Sequence, residues 1–282
     1  MHWGRRQTPL PRFVYPDLSG RGGGKGGGET LETRASRPRL SCNDQHKMTN
    51  MKSQHEIKKD IGALFDNISG TYDFLNHFLS LGIDRYWRKK AIAGMPVQRE
   101  VLDVAIGTAD LTLEMFRRQK AQKVVGIDLS EQMMAIGEKK LQRYGYSATF
   151  LTADAQAMPF VDNRFDGVTC AYGCRNFSNL QAGLSEMYRV LKSGGSLVIL
   201  EFSYPTRPLI RWLYDLYFSR ILPLVGKCIS RDKDAYTYLN HSVKGFCYGE
   251  AFAQQLRKAG FADIHCEPLT WGITTIYRAT KL

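Results

Sequence analysis

From about residue 52 the chain settles into regular apolar and polar periods. Residues 54–66 (QHEIKKDIGALFD) and 72–94 carry apolar side chains at helical spacing, interrupted at Ser69-Gly70. Short apolar runs then alternate with helical periods. The spacing predicts strands at 100–106 (EVLDVAI), 123–129, 149–153, 166–172 and 196–202, with helices near 109–119, 130–143 and 179–192. A helix at 249–259 and strands at about 263–268 and 273–280 complete the pattern. Short apolar strands separated by helices imply a parallel sheet covered on both faces. The last strand follows its neighbour too closely for a crossover helix, so that pair is expected to be antiparallel. The predicted fold is α/β. Its seven-stranded, mostly parallel sheet has an antiparallel last strand, a helical lid at 52–94 and an insertion at 203–248 after the fifth strand.

The first 47 residues lack this pattern. They include RGGGKGGG (21–28) and several prolines, and cannot bury enough apolar surface to offset the entropy of ordering. They are expected to be disordered, or a mis-called extension upstream of Met48 or Met51. An arginine-rich transit segment and a flexible nucleic-acid-binding tail are the alternatives. The remainder, 48–282, reads as one domain. Its insertion carries PLIRWLYDLYFSRILPLVGKCISRD (208–232), aromatic and leucine-rich, bordered by Arg207, Arg211, Arg220, Lys227 and Arg231. Placed after a strand's carboxyl end, it is positioned to cover an active-site mouth. Its apolar face suits a membrane interface or a lining for a long apolar chain, and suits an ordinary core helix equally well.

Composition narrows the class only slightly. Hydrophobic residues make up 43%, enough for a sizeable core, and no run approaches the ~20 apolar residues that a spanning helix needs. The net charge of +12 invites a nucleic-acid or anionic-membrane reading, but residues 1–47 hold nine Lys or Arg against four Asp or Glu. No aromatic-basic recognition motif supports nucleic acid as a partner. The six cysteines form no CxxC pair and no finger-like spacing with histidine, so zinc and disulfides are not expected and a reducing compartment fits.

The candidate chemistry begins at VLDVAIGTADL (101–111), where an apolar strand runs into a turn of small residues that opens a helix. Small residues let the backbone approach a ligand, and the helix start offers unpaired N–H groups. This is neither GxGxxG nor a Walker loop. Asp103 and Asp110 put carboxylates near the turn formed by Gly107 and Thr108, which suits a cationic amino group and repels a pyrophosphate. The second strand ends in Asp128, 21 residues after Gly107, a spacing suited to ribose hydroxyls. Alone, Asp128 reads equally well as a helix cap. The third strand leads into Asp154-Ala155 and the apolar Met158-Pro159-Phe160, a wall suited to adenine. Acids at the ends of three successive strands favour S-adenosyl-L-methionine over a dinucleotide. The layout is then that of a Rossmann-like class I S-adenosylmethionine-dependent methyltransferase.

Two segments carry a family resemblance: YDFLNHFLSLGIDRYWR (72–88) and RVLKSGGSLVILEFS (189–203). With GTAD (107–110), YGCRNF (172–177) and YTYLNHSVKGF (236–246), the chain resembles the ubiquinone/menaquinone biosynthesis C-methyltransferases over about residues 55–282. It departs from the family pattern at Asp84, where histidine is usual, and at Ser193, Asn240 and Cys247, where proline is usual. The resemblance implies cofactor contacts at Thr108, Asp128, Asp154 and Ala155; a further family contact position, often serine, falls at Ala171, which offers no side-chain hydrogen bond. It implies carbon methylation of a lipid quinol by S-adenosyl-L-methionine, with no metal. GTAD and the closing GITTIYRATK are closer to the menaquinone branch, with the benzoquinol of ubiquinone synthesis as the alternative acceptor.

On this reading Arg175 stabilises phenolate charge or polarises a water, Asn176 orients the ring hydroxyl and Tyr72 acts from the lid. The bland alternative for Arg175-Asn176 is a capping turn with the arginine paired to an acid. A membrane-dissolved acceptor implies peripheral membrane contact by a cytoplasmic protein, and a homo-oligomer is left open. Rival readings are a methyltransferase of another small molecule, a non-catalytic scaffold that binds the cofactor to stay folded, and a nucleic-acid-binding protein.

Overall fold

The computed structural model describes residues 66, 77, 80–217, 220, 242–243 and 245–282. Helix α1 (Ile83–Ala93) leads into β1 (Gln98–Val104), α2 (Asp110–Arg117), β2 (Ala121–Asp128), α3 (Glu131–Arg143), β3 (Thr149–Thr152) and β4 (Phe165–Ala171). A 3-10 turn (Cys174–Asn176) precedes α4 (Leu180–Val190) and β5 (Leu191–Phe202). Helix α5 (Pro208–Leu216), α6 (Glu250–Lys258), β6 (Ala262–Leu269), a second 3-10 turn (Thr270–Gly272) and β7 (Thr274–Thr280) complete the order. The strands form one seven-stranded sheet in the order β3-β2-β1-β4-β5-β7-β6. Strands β1 to β5 run parallel, and β7 is antiparallel to both β5 and β6. The structure thus bears out the expected sheet and its antiparallel last strand.

Strands β1, β2, β4, β5 and β7 feed both faces. Along β5, Leu197 and Ile199 enter one core with Leu184, Met187, Phe252 and Tyr277, while Val198 and Leu200 enter a second with Trp87, Ile92, Met115 and Ile276. Helices α4 and α6 therefore cover one face and α1 and α2 the other. Local signals set the helix starts. Ser130 Oγ accepts from the Met133 N–H at 3.1 Å and Asn179 Oδ1 from the Ala182 N–H at 3.1 Å, each a side-chain N-cap. Pro208 opens α5, where its missing N–H costs nothing.

Where β1 and β2 end, small residues permit close packing. A Cβ on Gly126 would lie 2.1 Å from Ile106 Cδ1, and one on Gly173 would lie 2.6 Å from Ala105 Cβ. The loops after β1 and β4 meet at this second contact. Most of the expected lid at 52–94 lies outside the described residues, as does much of the insertion at 203–248. Among the described residues no helix is long and apolar enough to cross a membrane. Cys170, Cys174 and Cys266 are free, and Cys247 is disulfide-bonded to a partner outside the described residues. That bond corrects the expectation of no disulfide: spacing along the chain does not report which cysteines the fold brings together.

Candidate active site

The carboxyl ends of β1, β2, β3 and β4 open into a cleft of about 760 Å³, part of it open to solvent. Parallel sheets place ligands at this end, in the crevice where strand order reverses, here between β1 and β4. Gly107, Asp128, Asp154, Ala155 and Asn176 of the sequence-derived set line the cleft, with Ala171, Tyr172, Gly173 and Phe177 on the β4 side.

Asp128 is fixed by the backbone. Its Oδ2 accepts from the Gly107 N–H at 2.8 Å and its Oδ1 from the Ser130 N–H at 3.0 Å. The first bond ties the end of β2 to the β1 turn, where Ala105, Gly107 and Ala109 all have left-handed φ values near 50–60°. Burial pushes the Asp128 carboxyl up from its ordinary range, and the backbone donors of Ser130, Gly107 and Leu129 oppose that rise. A carboxylate has about four lone-pair positions, so these backbone donors leave acceptor capacity facing the cleft. Asp154 is oriented by Gln156, whose backbone N–H and Nε2 donate to Oδ1 at 2.9 and 3.2 Å. Gln156 Oε1 in turn accepts from Ser178 Oγ and the Asn179 N–H at 2.9 and 2.8 Å, joining the β3 and β4 sides of the cleft. Asp66, from the amino-terminal region, accepts a short hydrogen bond from Ser130 Oγ at the cleft wall.

Three of the expected cofactor residues stand away from the cleft lining. Asp103 lies on the β1 face that packs against α2, where its oxygens accept from Thr112 Oγ1 and Thr169 Oγ1 at 2.6 and 2.7 Å. Burial raises its carboxyl to about 6 despite those bonds. Thr108 is buried within the turn. Asp110 opens α2 and pairs with Lys140 Nζ at 2.6 Å and Arg88 Nη2 at 3.3 Å. Arg88 also makes a short bond to the buried Asp84, which accepts from Ser80 Oγ at 2.6 Å and pairs with His77 Nδ1 at 2.7 Å. Burial pushes the Asp84 carboxyl up, but Arg88, Ser80 and His77 outweigh it and hold it below its ordinary range. Ligand-type atoms of His77, Asp84 and Asp110 gather within 4.8 Å of one another, and Arg88 already supplies the positive charge between the two acids.

On the β4 side, Asn176 reaches the cleft and Arg175 turns behind it. The Arg175 Nη1 donates to Glu201 Oε1 at 2.8 Å, its backbone N–H to Glu201 Oε2 at 3.2 Å, and its guanidinium also reaches the Tyr172 carbonyl. The pair is buried, with side-chain exposures of 5% for Arg175 and 0% for Glu201. Glu201 was expected only as part of the family segment 189–203 and with no role at the site, although a lone acid in the apolar run LVILEF was the signal for one. Tyr72 lies outside the described residues.

A strand order of β3-β2-β1-β4-β5-β7-β6, with the cleft at the β1–β4 reversal, defines a class I S-adenosylmethionine-dependent methyltransferase. A solved S-adenosylmethionine-dependent methyltransferase from Thermotoga maritima shares this fold, with a TM-score of 0.55 and 18% identity, over 78% of this chain and 99% of that one. The chain belongs to the ubiE/COQ5 methyltransferase family, whose model matches residues 48–281. It is 41% identical to the demethylmenaquinone methyltransferase of Bacteroides fragilis over 84% of this chain and 98% of that protein. It is 42% identical to the ubiquinone/menaquinone biosynthesis C-methyltransferase of Geobacter sp. (strain M21), over 82% of this chain and all of that protein.

Proposed function

We propose that this enzyme methylates a ring carbon of demethylmenaquinol with S-adenosyl-L-methionine, giving menaquinol and S-adenosylhomocysteine. The observation that carries the reading is the cleft. A backbone-braced carboxylate, Asp128, stands on its β2 side, and an amide side chain, Asn176, stands on its β4 side. The similarity to demethylmenaquinone methyltransferases over most of the chain supports the choice of acceptor. The acidic and small residues present suit the cofactor. Asp128 would hold the ribose hydroxyls, Asp154 and Ala155 would take the adenine end, and the Gly107 turn would receive the methionyl part. When bound, the cofactor supplies an electrophilic methyl group on a sulfonium.

The protein's own work is positioning. Asn176 orients the ring hydroxyl so that the neighbouring ring carbon faces the methyl donor. The acceptor is the quinol, because an ionising hydroxyl feeds electron density into the ring whereas the oxidised quinone is electron-poor. Arg175 stays protonated and cannot serve as a base. It acts through Glu201 by fixing the Tyr172–Asn176 turn, and Tyr72 acts from the lid. The lipid acceptor implies peripheral attachment to a membrane. The Geobacter relative, named for both quinones, keeps the methoxy-benzoquinol precursor of ubiquinone as the second acceptor to test.

The test is transfer of labelled methyl to prenylated demethylmenaquinol and to that benzoquinol under reducing conditions. Label in the naphthoquinol alone fixes the menaquinone assignment, and label in both defines a dual-pathway enzyme. Label in neither, with cofactor still bound, refutes the quinol reading.

A further inference from the structure

Helix α5 is apolar on the side it shows to solvent. Leu209, Trp212, Leu213 and Leu216 recur at i, i+3, i+4 and i+7, the spacing of one helical face. All four are exposed, Leu209 at 67% and Trp212 at 60%. The opposite face is the one anchored to the protein. Tyr214 is buried there, with its ring 5.6 Å from Tyr204 in an edge-on contact, and packs in a small cluster with Val243, Phe202 and Ile273. A soluble surface helix normally shows the reverse arrangement.

A second large apolar side chain stands at the same end of the sheet. Strand β7 begins where β5 ends, since Thr274 pairs with Phe202, so the turn before β7 adjoins the start of the α5 connection. Ser203 Oγ donates to the Gly272 carbonyl at 2.9 Å and ties the two segments together. Within that turn Trp271 is 64% exposed and has a left-handed φ of 57°, a conformation that bulky residues rarely adopt. This turn presents an indole to solvent at the end of the sheet where the cleft opens.

Charge completes the pattern. Arg207, Arg211 and Arg220 are exposed, while the one acid of α5, Asp215, is partly buried and accepts from the Tyr204 hydroxyl. Exposed leucine and tryptophan with flanking arginines match the chemistry of an anionic lipid surface: apolar side chains enter the acyl boundary and guanidinium groups meet phosphates.

We propose that the exposed face of α5, together with Trp271, docks the enzyme on an anionic bilayer with the cleft end of its sheet toward the lipid. This rests on the acceptor being a lipid quinol, because docking there gives the cleft access to a substrate that does not leave the membrane.

The test uses the full chain with sedimentable vesicles of phosphatidylglycerol and phosphatidylcholine, beside phosphatidylcholine alone. The protein sediments with the anionic vesicles and less so in high salt. The double variant Trp212→Glu/Leu213→Glu loses about 100-fold in vesicle affinity, from two apolar anchors turned into charges. Trp271→Asn, which suits the left-handed backbone, loses several-fold. Turnover of a water-soluble, short-chain demethylnaphthoquinol stays unchanged in both variants, which shows that they fold, while turnover of a long-chain quinol in vesicles falls in step with binding.

Absence of vesicle binding, or binding unaffected by both variants, overturns the proposal. So does a wild-type dimer that the double variant splits, which would give this face to a second copy of the chain. Vesicle binding that obeys these expectations, with no turnover of any quinol, supports the docking surface and refutes the acceptor assignment instead.

Discussion

Glu201→Gln removes the charge that holds Arg175 while keeping the shape of the side chain. Glu201 accepts from the Arg175 Nη1, the Arg175 N–H and the Phe202 N–H at 2.8, 3.2 and 2.9 Å. Glutamine can keep the acceptor toward Nη1 and Phe202, but its amide has no acceptor for the Arg175 N–H. Both partners are out of solvent, so removing one charge strands the other, at a cost of about 3 to 5 kcal/mol. The bonds that survive place the expected loss at the low end, ~3 kcal/mol, a drop of roughly 1 M in the urea midpoint. Turnover should fall at least about 10-fold, because the turn carrying Asn176 loses its brace. Cofactor affinity should change little, since the Asp128 bonds lie on the other side of the cleft.

The double variant Arg175→Leu/Glu201→Leu separates stability from positioning. With no charge left buried it should regain most of the lost stability, as buried pairs replaced by apolar residues often do. It should not regain turnover. The assays are urea unfolding, calorimetric cofactor binding and labelled-methyl transfer on each variant. One result would refute the reasoning: Arg175→Ala lowering turnover with stability and the Asn176 turn intact. The guanidinium would then act on the substrate directly. Glu201→Gln with neither stability nor turnover changed would refute it from the other side.

The remaining expectations concern single sites. Asp128→Ala should weaken cofactor binding by about 10- to 100-fold, the value of charge-assisted hydrogen bonds to the ribose, with unchanged affinity by calorimetry removing Asp128 from the site. Asp103 is raised by burial to about 6 from an ordinary value of 3.8, so the folded state holds its proton more tightly than the unfolded chain. That residue costs nothing at low pH and progressively more as the pH rises through about 4 to 6, reaching ~3 kcal/mol above that window. Asp103→Asn should therefore flatten the stability curve between those limits and gain stability at pH ~8, and a loss there, read by urea unfolding, would show the ionised carboxylate to be favourable. Gly173→Ala would place a Cβ 2.6 Å from Ala105 and 2.9 Å from Cys170 Sγ, forcing the β1 and β4 loops apart at a cost of about 1 to 3 kcal/mol and lowering turnover. Chelation should leave stability and turnover unchanged, because Arg88 stands between Asp84 and Asp110, and a measured loss with EDTA would revive a metal at that cluster.

The strands were legible because each is a short apolar run with its own boundaries. Four of the five parallel strands begin within two residues of the predicted start. Strand β5 begins five residues early, at Leu191, since its first residues KSGG carry no apolar alternation and join the sheet through a bulge opposite Phe165–Gly167. Asp128 and Asp154 were legible for a related reason: a strand's carboxyl end in a parallel sheet is a fixed place, so a residue just there is committed to the crevice. Asp103 was harder to place. It sits one step inside the strand, and side-chain alternation turns it toward α2, where two threonines take its oxygens. Asp110 and Arg175 depend on partners remote in sequence. Lys140 is 30 residues from Asp110 and Glu201 is 26 from Arg175, so no local window contains either pair. Arg175 also shows how a motif can name the right turn and still leave the role of its arginine open. YGCRNF marks the loop beside the cleft, and the isolated acid in LVILEF marks a buried charge. Only the parallel pairing of β4 with β5 brings the two together and turns the guanidinium from the cleft toward the protein's interior.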